Sequence, residues 1–341
     1  MKPKAIIPAA GIGTRLKPFT FTKPKPMVYV AGKQIIGHIL DNLAGAVDEV
    51  YIIVGYLKEK LIEYVDKNYS EQFKIHYIEQ KEKKGLGHAV FLAKDYIKNS
   101  SLLITLGDEI FDMPYKDMLK KFKSTVEKNR FSGSLGVKIV DRPQSYGIVE
   151  LGENGVKRVV EKPENPKSNL ALAGVYIFKN SDVLFKALEK LIYVKNLKTK
   201  GEYQLTDAIQ ILIEEGHRFS TFQIQNWYDC GRPSMLLNVN RLLLEKSGSR
   251  IQVPVENSVI IHPTIIGEGC QIKNSVIGPY VSIAEGTRVE GCIISNSIIG
   301  TNSHLRDLIL SESIVGDEAE LIGNRQKMNI GENTKILFQS T

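Results

Sequence analysis

AIIPAAGIGTRLKPFTFTKPKPMVYV, residues 5–30, opens on a short apolar run, Ala5 to Ile7, that predicts a buried strand. The run breaks into a loop holding Gly11 and Gly13, and a basic, proline-rich segment then ends in Lys25, Pro26 and Met27. That layout suits a phosphate site. Glycines let the backbone come close to an anion with its N–H groups turned inward, and Arg15 and Lys25 supply the positive charge that a backbone lacks. A glycine pair after a strand is by itself usually only a turn.

Downstream of this loop, to about residue 110, short apolar runs alternate with longer amphipathic ones, the pattern of a parallel sheet with crossover helices. Strands are expected at 49–54, 75–79 and 102–106, and helices at 35–46, 57–69 and 87–97. Ligands of such sheets gather at the carboxyl ends of the strands, which here are the Gly11 loop, Gly55-Tyr56, Gln80 to Gly85 and Gly107-Asp108. Past Asp108 the alternation loosens into antiparallel strands near 134–140, 147–151, 156–161 and 171–178, placed over one side of the cleft. Helices at 181–191 and 205–215, a strand at 219–225 and a helix at 233–244 close this domain.

Beyond residue 256 aliphatic side chains recur every five or six positions, at Ile266, Ile272, Ile277, Ile283, Val289, Ile294, Ile299, Leu305, Leu310, Val315 and Leu321. This period matches neither a helix nor a hairpin meander and predicts a hexapeptide parallel β-helix of about three or four coils. IGENTKI, Ile330 to Ile336, reads as a last piece of it after a loop at 324–328. The expected division is a mixed-sheet α/β domain over 1–240, a linker over 241–256 and the β-helix over 257–341.

The 341 residues suffice for two cores, and 43% hydrophobic and 24% charged residues describe an ordinary globular chain. No stretch approaches the roughly 20 apolar residues of a membrane helix, and the first residues lack a signal-peptide apolar region. A cytoplasmic location is expected, with no membrane partner. Cys230, Cys270 and Cys292 have no metal or disulfide spacing, so reduced thiols are expected. The net charge of +7 comes from scattered lysines without interleaved aromatics, which argues against a nucleic-acid partner.

Over residues 4–240 several separated motifs resemble the sugar-1-phosphate nucleotidyltransferases, the enzymes that make nucleoside diphosphate sugars. GxGTRLxPxTxxxPKPM, Gly11 to Met27, resembles the signature of that family. The resemblance implies a Rossmann-like nucleotidyltransferase domain, with Ala10, Gly11, Gly13 and Thr14 against the nucleotide. IEQKEKKGLGHA, 78–89, resembles the base-recognition segment, in which Gln80 would read a pyrimidine edge and Gly85 would allow close approach. Lys83 stands where relatives often have proline. LGDEIF, 106–111, and WYDCGR, 227–232, resemble the segments that hold magnesium through Asp108 and Asp229, with Glu109 where relatives often have asparagine. YGIVE, EKP, ALAGVYIF and GEYQLTDAI resemble the sugar side, implying roles for Tyr146, Gly147, Glu161, Gly174 and Glu202, with Lys162 on the sugar phosphate. Thr206 and Asp207 read equally as a helix start.

The implied reaction is in-line attack of a sugar 1-phosphate on the α-phosphorus of a nucleoside triphosphate, with Arg15, Lys25 and Lys162 as the catalytic cations and Mg2+ as cofactor. In layout the chain resembles the long form of the glucose-1-phosphate thymidylyltransferases, a catalytic domain followed by a short left-handed β-helix, and a homo-oligomer is expected from the need to cover β edges. Two alternatives are a non-catalytic regulatory subunit and an added acyltransferase in the β-helix. The latter would need a histidine base, for which the tail offers His262 and His304, both expected at coil corners.

Overall fold

The structure, a computed structural model, describes residues 2–129 and 131–324, apart from the side chains of 126–129. Two compact units divide the chain, Met1–Val239 and Asn240–Thr341. The piece expected at 330–336 lies outside the described residues.

The first unit begins with β1 (Lys4–Pro8), whose Ala5, Ile6 and Ile7 are wholly buried, as a strand covered on both faces must be. A two-residue hairpin, β2 (Tyr29–Val30) and β3 (Lys33–Gln34), leads into α1 (Ile35–Leu43), which buries Ile35, Ile36, Ile39, Leu40 and Leu43. The parallel part continues with β4 (Glu49–Val54), α2 (Lys58–Tyr69), β5 (Lys74–Glu79), α3 (Leu86–Phe91) and β6 (Leu102–Thr105). On α2 the buried residues Leu61, Val65 and Tyr69 are four apart, so one stripe faces the sheet. After β7 (Glu109–Phe111) comes α4 (Tyr115–Asn129), a helix in a stretch where no element was expected. Its lysine-rich surface weakened the apolar signal, yet Tyr115, Met118, Leu119 and Phe122 are buried at helical spacing.

The inserted antiparallel strands are β8 (Gly133–Ile139), β9 (Gly147–Gly152), β10 (Gly155–Glu161) and β11 (Leu170–Phe178). They are followed by α5 (Ser181–Glu189), a π-helical turn at Lys190–Val194, α6 (Leu205–Glu214), β12 (Phe219–Gln223), β13 (Trp227–Asp229) and α7 (Pro233–Ser247). One mixed nine-stranded sheet runs β10-β9-β11-β6-β1-β4-β5, with β8 on β11 and β12 on β8. β1 is parallel to β4 and β6, and β11 reverses direction against β6. β7 and β13 leave this sheet and pair only with each other, antiparallel. The stretch expected as a helix over 87–97 is helical only to Phe91 and continues as turns.

In the second unit short strands stack in three parallel ladders, the arrangement of a left-handed hexapeptide β-helix. Ile266, Ile283, Ile299 and Val315 form one column, Ile272, Val289, Leu305 and Leu321 a second, and Ile277, Ile294 and Leu310 a third. All are buried or partly buried in one core. The column spacing is the recurrence seen in sequence. Residues 241–256, expected as a linker, hold the end of α7 and two strands, Arg250–Ile251 and Val255–Glu256, already laddered to the next coil. His262 lies between strands, whereas His304 opens a strand instead of a corner and stands between Arg288 and Glu320.

Candidate active site

The loop after β1 turns at Gly13, whose φ of 70° is open to glycine at low cost. A Cβ there would fall 2.8 Å from the Cβ of Lys25, so the loop lies directly on that lysine, and Thr20 Oγ1 donates to the Gly13 carbonyl at 2.9 Å. Ala10, Gly11, Gly13 and Thr14 line a cavity of about 360 Å3 together with Gln80, Lys83, Gly85 and Glu202. Thus the first motif and the 78–89 segment, separated by about seventy residues, meet in one hollow.

Gln80 is 9% exposed, and its amide nitrogen lies 3.1 Å from the Gly85 carbonyl and 3.1 Å from His88 Nδ1. The amide expected to read a base is therefore held within the protein, donating to the Gly85 carbonyl and lying against His88. Burial, then Lys84, pull the His88 pKa down, which keeps the ring neutral and able to accept at Nδ1. Sequence reading passed over His88, whose only signal was its place on the helix after Gly85. Gly85 has φ 100°, and a Cβ would lie 2.7 Å from both Glu202 Cβ and the Tyr203 carbonyl. Gly85→Ala is expected to raise the triphosphate KM and destabilise the fold by about 2 kcal/mol, read by initial rates and thermal melting. An unchanged melting temperature and KM would show the approach to be dispensable.

A second cluster is assembled by the β7–β13 ladder. Asp229 stands opposite Glu109, and the Cys230 N–H donates to the Asp108 carbonyl at 3.1 Å, so the backbone brings the two expected metal aspartates side by side. Lys25, 7% exposed, donates to Asp108 Oδ2. Burial acts to lower its pKa, but Asp108 first, then Asp229, outweigh it and hold the ammonium charged. Arg15 joins this group from the exposed side: a Cβ on Gly231 would lie 2.6 Å from Asp229 Oδ1 and 3.1 Å from the Arg15 guanidinium.

Among the described residues no three His, Cys, Asp or Glu side chains form a metal-binding group on their own. Two aspartates beside an already accommodated positive charge suit a hard cation that takes its remaining ligands from water and phosphate oxygens. Glu109 belongs to neither role. It is buried, its carboxyl accepts from Trp227 Nε1, and burial first, then Asp108 and Asp229, push its pKa well above the usual carboxylate range.

On the β9–β10 hairpin Gly147 pairs with Glu161, and Thr206 Oγ1 donates to Glu161 Oε2 at 2.7 Å. A Cβ on Gly147 would lie 3.1 Å from both of those side-chain oxygens, so this glycine makes room for the pair. Thr206, left undecided by sequence, is therefore a clamp on Glu161 as well as a first-turn residue of α6. Lys162 adopts φ 41°, its N–H donates to the Tyr146 carbonyl at 3.0 Å, and its half-exposed ammonium is 3.4 Å from Glu161 Oε1. It lies on Glu161, whereas Lys25 lies on the aspartates. Where Gly174 was expected to leave room for a sugar, the path of a side chain is filled by Leu106 at 3.0 Å and Glu109 at 3.2 Å. Tyr146 and Trp227 stack edge to face, centroids 5.1 Å apart, and with Asp229 and Arg142 line a second cavity of about 330 Å3. Burial, then Asp229 and Glu109, raise the Tyr146 pKa, so its hydroxyl keeps its proton.

Residues 4–246, more than half of the chain, match the family described as Nucleotidyl transferase. The chain belongs to the nucleotidyl transferase family. Residues 242–334 match a second description, GlmU-like, C-terminal hexapeptide. A protein named Bifunctional protein GlmU from Methanocaldococcus jannaschii is 40% identical over 77% of this chain, and the chain spans 60% of that relative's length. Glucose-1-phosphate thymidylyltransferase from Streptomyces griseus is 32% identical over 94% of this chain and 92% of its own. A solved UDP-glucose pyrophosphorylase complexed with UDP-glucose is 29% identical with a TM-score of 0.61, covering 72% of this chain and 100% of its own. The expectation of a nucleotidyltransferase domain followed by a hexapeptide tail therefore holds. No described helix of this nucleotidyltransferase is long and apolar enough to cross a membrane.

Proposed function

We propose that the protein transfers a nucleotidyl group from a pyrimidine triphosphate, dTTP or UTP, to glucose 1-phosphate, releasing pyrophosphate and a nucleoside diphosphate sugar. The observation carrying this is the meeting of Lys25, Asp108 and Asp229 beside the glycine loop, with Arg15 at its exposed rim. In this reading Ala10, Gly11, Gly13 and Thr14 cradle the triphosphate, and Gln80 and Gly85 border the base. Tyr146, Gly147 and Glu161 belong to the sugar side, with Gly174 behind Leu106 and Glu109 and with Glu202 reaching it from the lining of the glycine-loop cavity. Magnesium held by Asp108 and Asp229 supplies neutralising charge to the phosphate oxygens when bound. Lys25 offsets charge on the reacting phosphates, Arg15 steadies the departing pyrophosphate, and Lys162 holds the incoming sugar phosphate. No side chain acts as a nucleophile, and the rate comes from alignment and charge stabilisation.

A panel of triphosphates against several sugar 1-phosphates, read by pyrophosphate release with and without magnesium, tests this. Fastest release is expected for a pyrimidine triphosphate with glucose 1-phosphate, and none without the metal. Binding without release for every pair would favour the regulatory-subunit reading instead.

The GlmU-like match of residues 242–334 favours a second reading, acyl transfer in the β-helix. His262, exposed and bonded to Ser249 Oγ, and His304, 3.7 Å from Glu320 Oε1, are its candidate bases. Thiol release from an acyl thioester would support it, and none would remove it. A cytoplasmic homo-oligomer completes the proposal. Val259, Ile293 and Ile309 are exposed in one ladder, with half-buried Val276 between them, which supports association through this face. Light scattering is expected to give a multiple of the chain mass, and a monomer mass would count against assembly.

A further inference from the structure

We infer that Glu109 is a positioning residue for the sugar 1-phosphate: it holds the indole of Trp227 in the orientation that forms, with Tyr146, one wall of the cavity beside Asp229. This assignment rests on the proposed function above, which places Tyr146, one of the residues lining that cavity, on the sugar side.

The β7–β13 ladder sets Trp227 opposite Phe111 and Asp229 opposite Glu109, so Trp227 and Asp229, two apart, face the same way. The half-buried indole N–H finds its partner in Glu109, whose carboxyl oxygen Oε2 accepts from it. Glu109 is itself held. It is 7% exposed, and its Cγ occupies the space next to Gly174, where an added Cβ would come within 3.2 Å. The indole has the Glu109 hydrogen bond to set its rotation and the Tyr146 ring packed against it at 67°. Both rings line the 330 Å3 cavity with Asp229, Arg142 and Met235. Release of the indole would therefore reshape the cavity wall, while the separate 360 Å3 cavity at the glycine loop includes none of these residues.

The chain has a single tryptophan, so its emission reports on Trp227 alone. In Glu109→Leu the emission is expected to shift, and the KM for the sugar 1-phosphate to rise about tenfold, the equivalent of losing one buried hydrogen bond. The triphosphate KM should stay within about threefold. Glu109→Gln keeps an acceptor oxygen at the same reach and is expected to restore both emission and KM. Trp227→Phe removes the bond from the other side and should raise the same KM, with Glu109→Leu adding little to it in the double variant.

Unchanged emission and sugar KM in Glu109→Leu, a Gln variant as impaired as the Leu variant, or an equal rise in triphosphate KM would each overturn the assignment. If Glu109→Leu does not fold, Glu109→Gln and Trp227→Phe decide it by the same KM comparison. Should no sugar 1-phosphate turn over at all, the functional reading fails, and the emission shift still reports whether Glu109 holds the indole.

Discussion

Asp108→Asn is expected to leave the protein folded and to lower the rate of pyrophosphate release by about 100- to 1000-fold, some 3–4 kcal/mol of transition-state stabilisation. The fold survives because the Cys230 N–H bonds to the backbone carbonyl of residue 108, which the substitution does not touch. Asparagine also keeps an oxygen for Lys25. What disappears is one of two adjacent negative charges. In the proposed mechanism a hard cation would then lose an anionic ligand, and Lys25 loses the foremost of the carboxylates that keep it charged against its own burial. In that mechanism both losses would fall on the step in which two phosphates are pressed together. Initial rates across a magnesium titration, with circular dichroism melting as the control for folding, give the measurement. Near-normal turnover at saturating magnesium would remove Asp108 from the mechanism.

Lys162→Ala is expected to cost turnover by a similar factor, about 100- to 1000-fold, with the loss carried by the sugar 1-phosphate. Lys162 sits at a φ of 41°, where alanine is strained as much as lysine, so the backbone cost is the same before and after. Its ammonium is half exposed and touches Glu161, a pair of the kind that adds little to stability. Melting should therefore hardly change. The triphosphate KM should also hold, because Lys162 does not line the cavity of the glycine loop. A variant with normal kcat/KM for the sugar 1-phosphate would show that this lysine only decorates the hairpin.

Much of this arrangement was readable in the chain. The wholly apolar Ala5 to Ile7, the stripe of Leu61, Val65 and Tyr69, and the aliphatic columns of the β-helix are one-dimensional records of which face must leave water, and they needed no coordinates. The motif strings likewise named Lys25, Asp108 and Asp229. The helix α4 was not legible because its lysines dilute the apolar stripe, and the supposed linker was not because two-residue strands carry almost no period.

Sequence by itself determined the family, the mixed-sheet domain and the hexapeptide tail. These depend on composition and spacing along the chain, which local physics converts directly into strands, stripes and turns. Only the tertiary structure decided how the residues of the candidate site are shared out. It set Lys25 on Asp108 and Lys162 on Glu161, turned the Gln80 amide toward Gly85 and His88, filled the space at Gly174, and gave Glu109 to Trp227. Each of those contacts joins residues from different elements or turns a side chain about its own bonds. The partner is chosen by burial and by the need to satisfy polar atoms in three dimensions, a competition that linear order does not record.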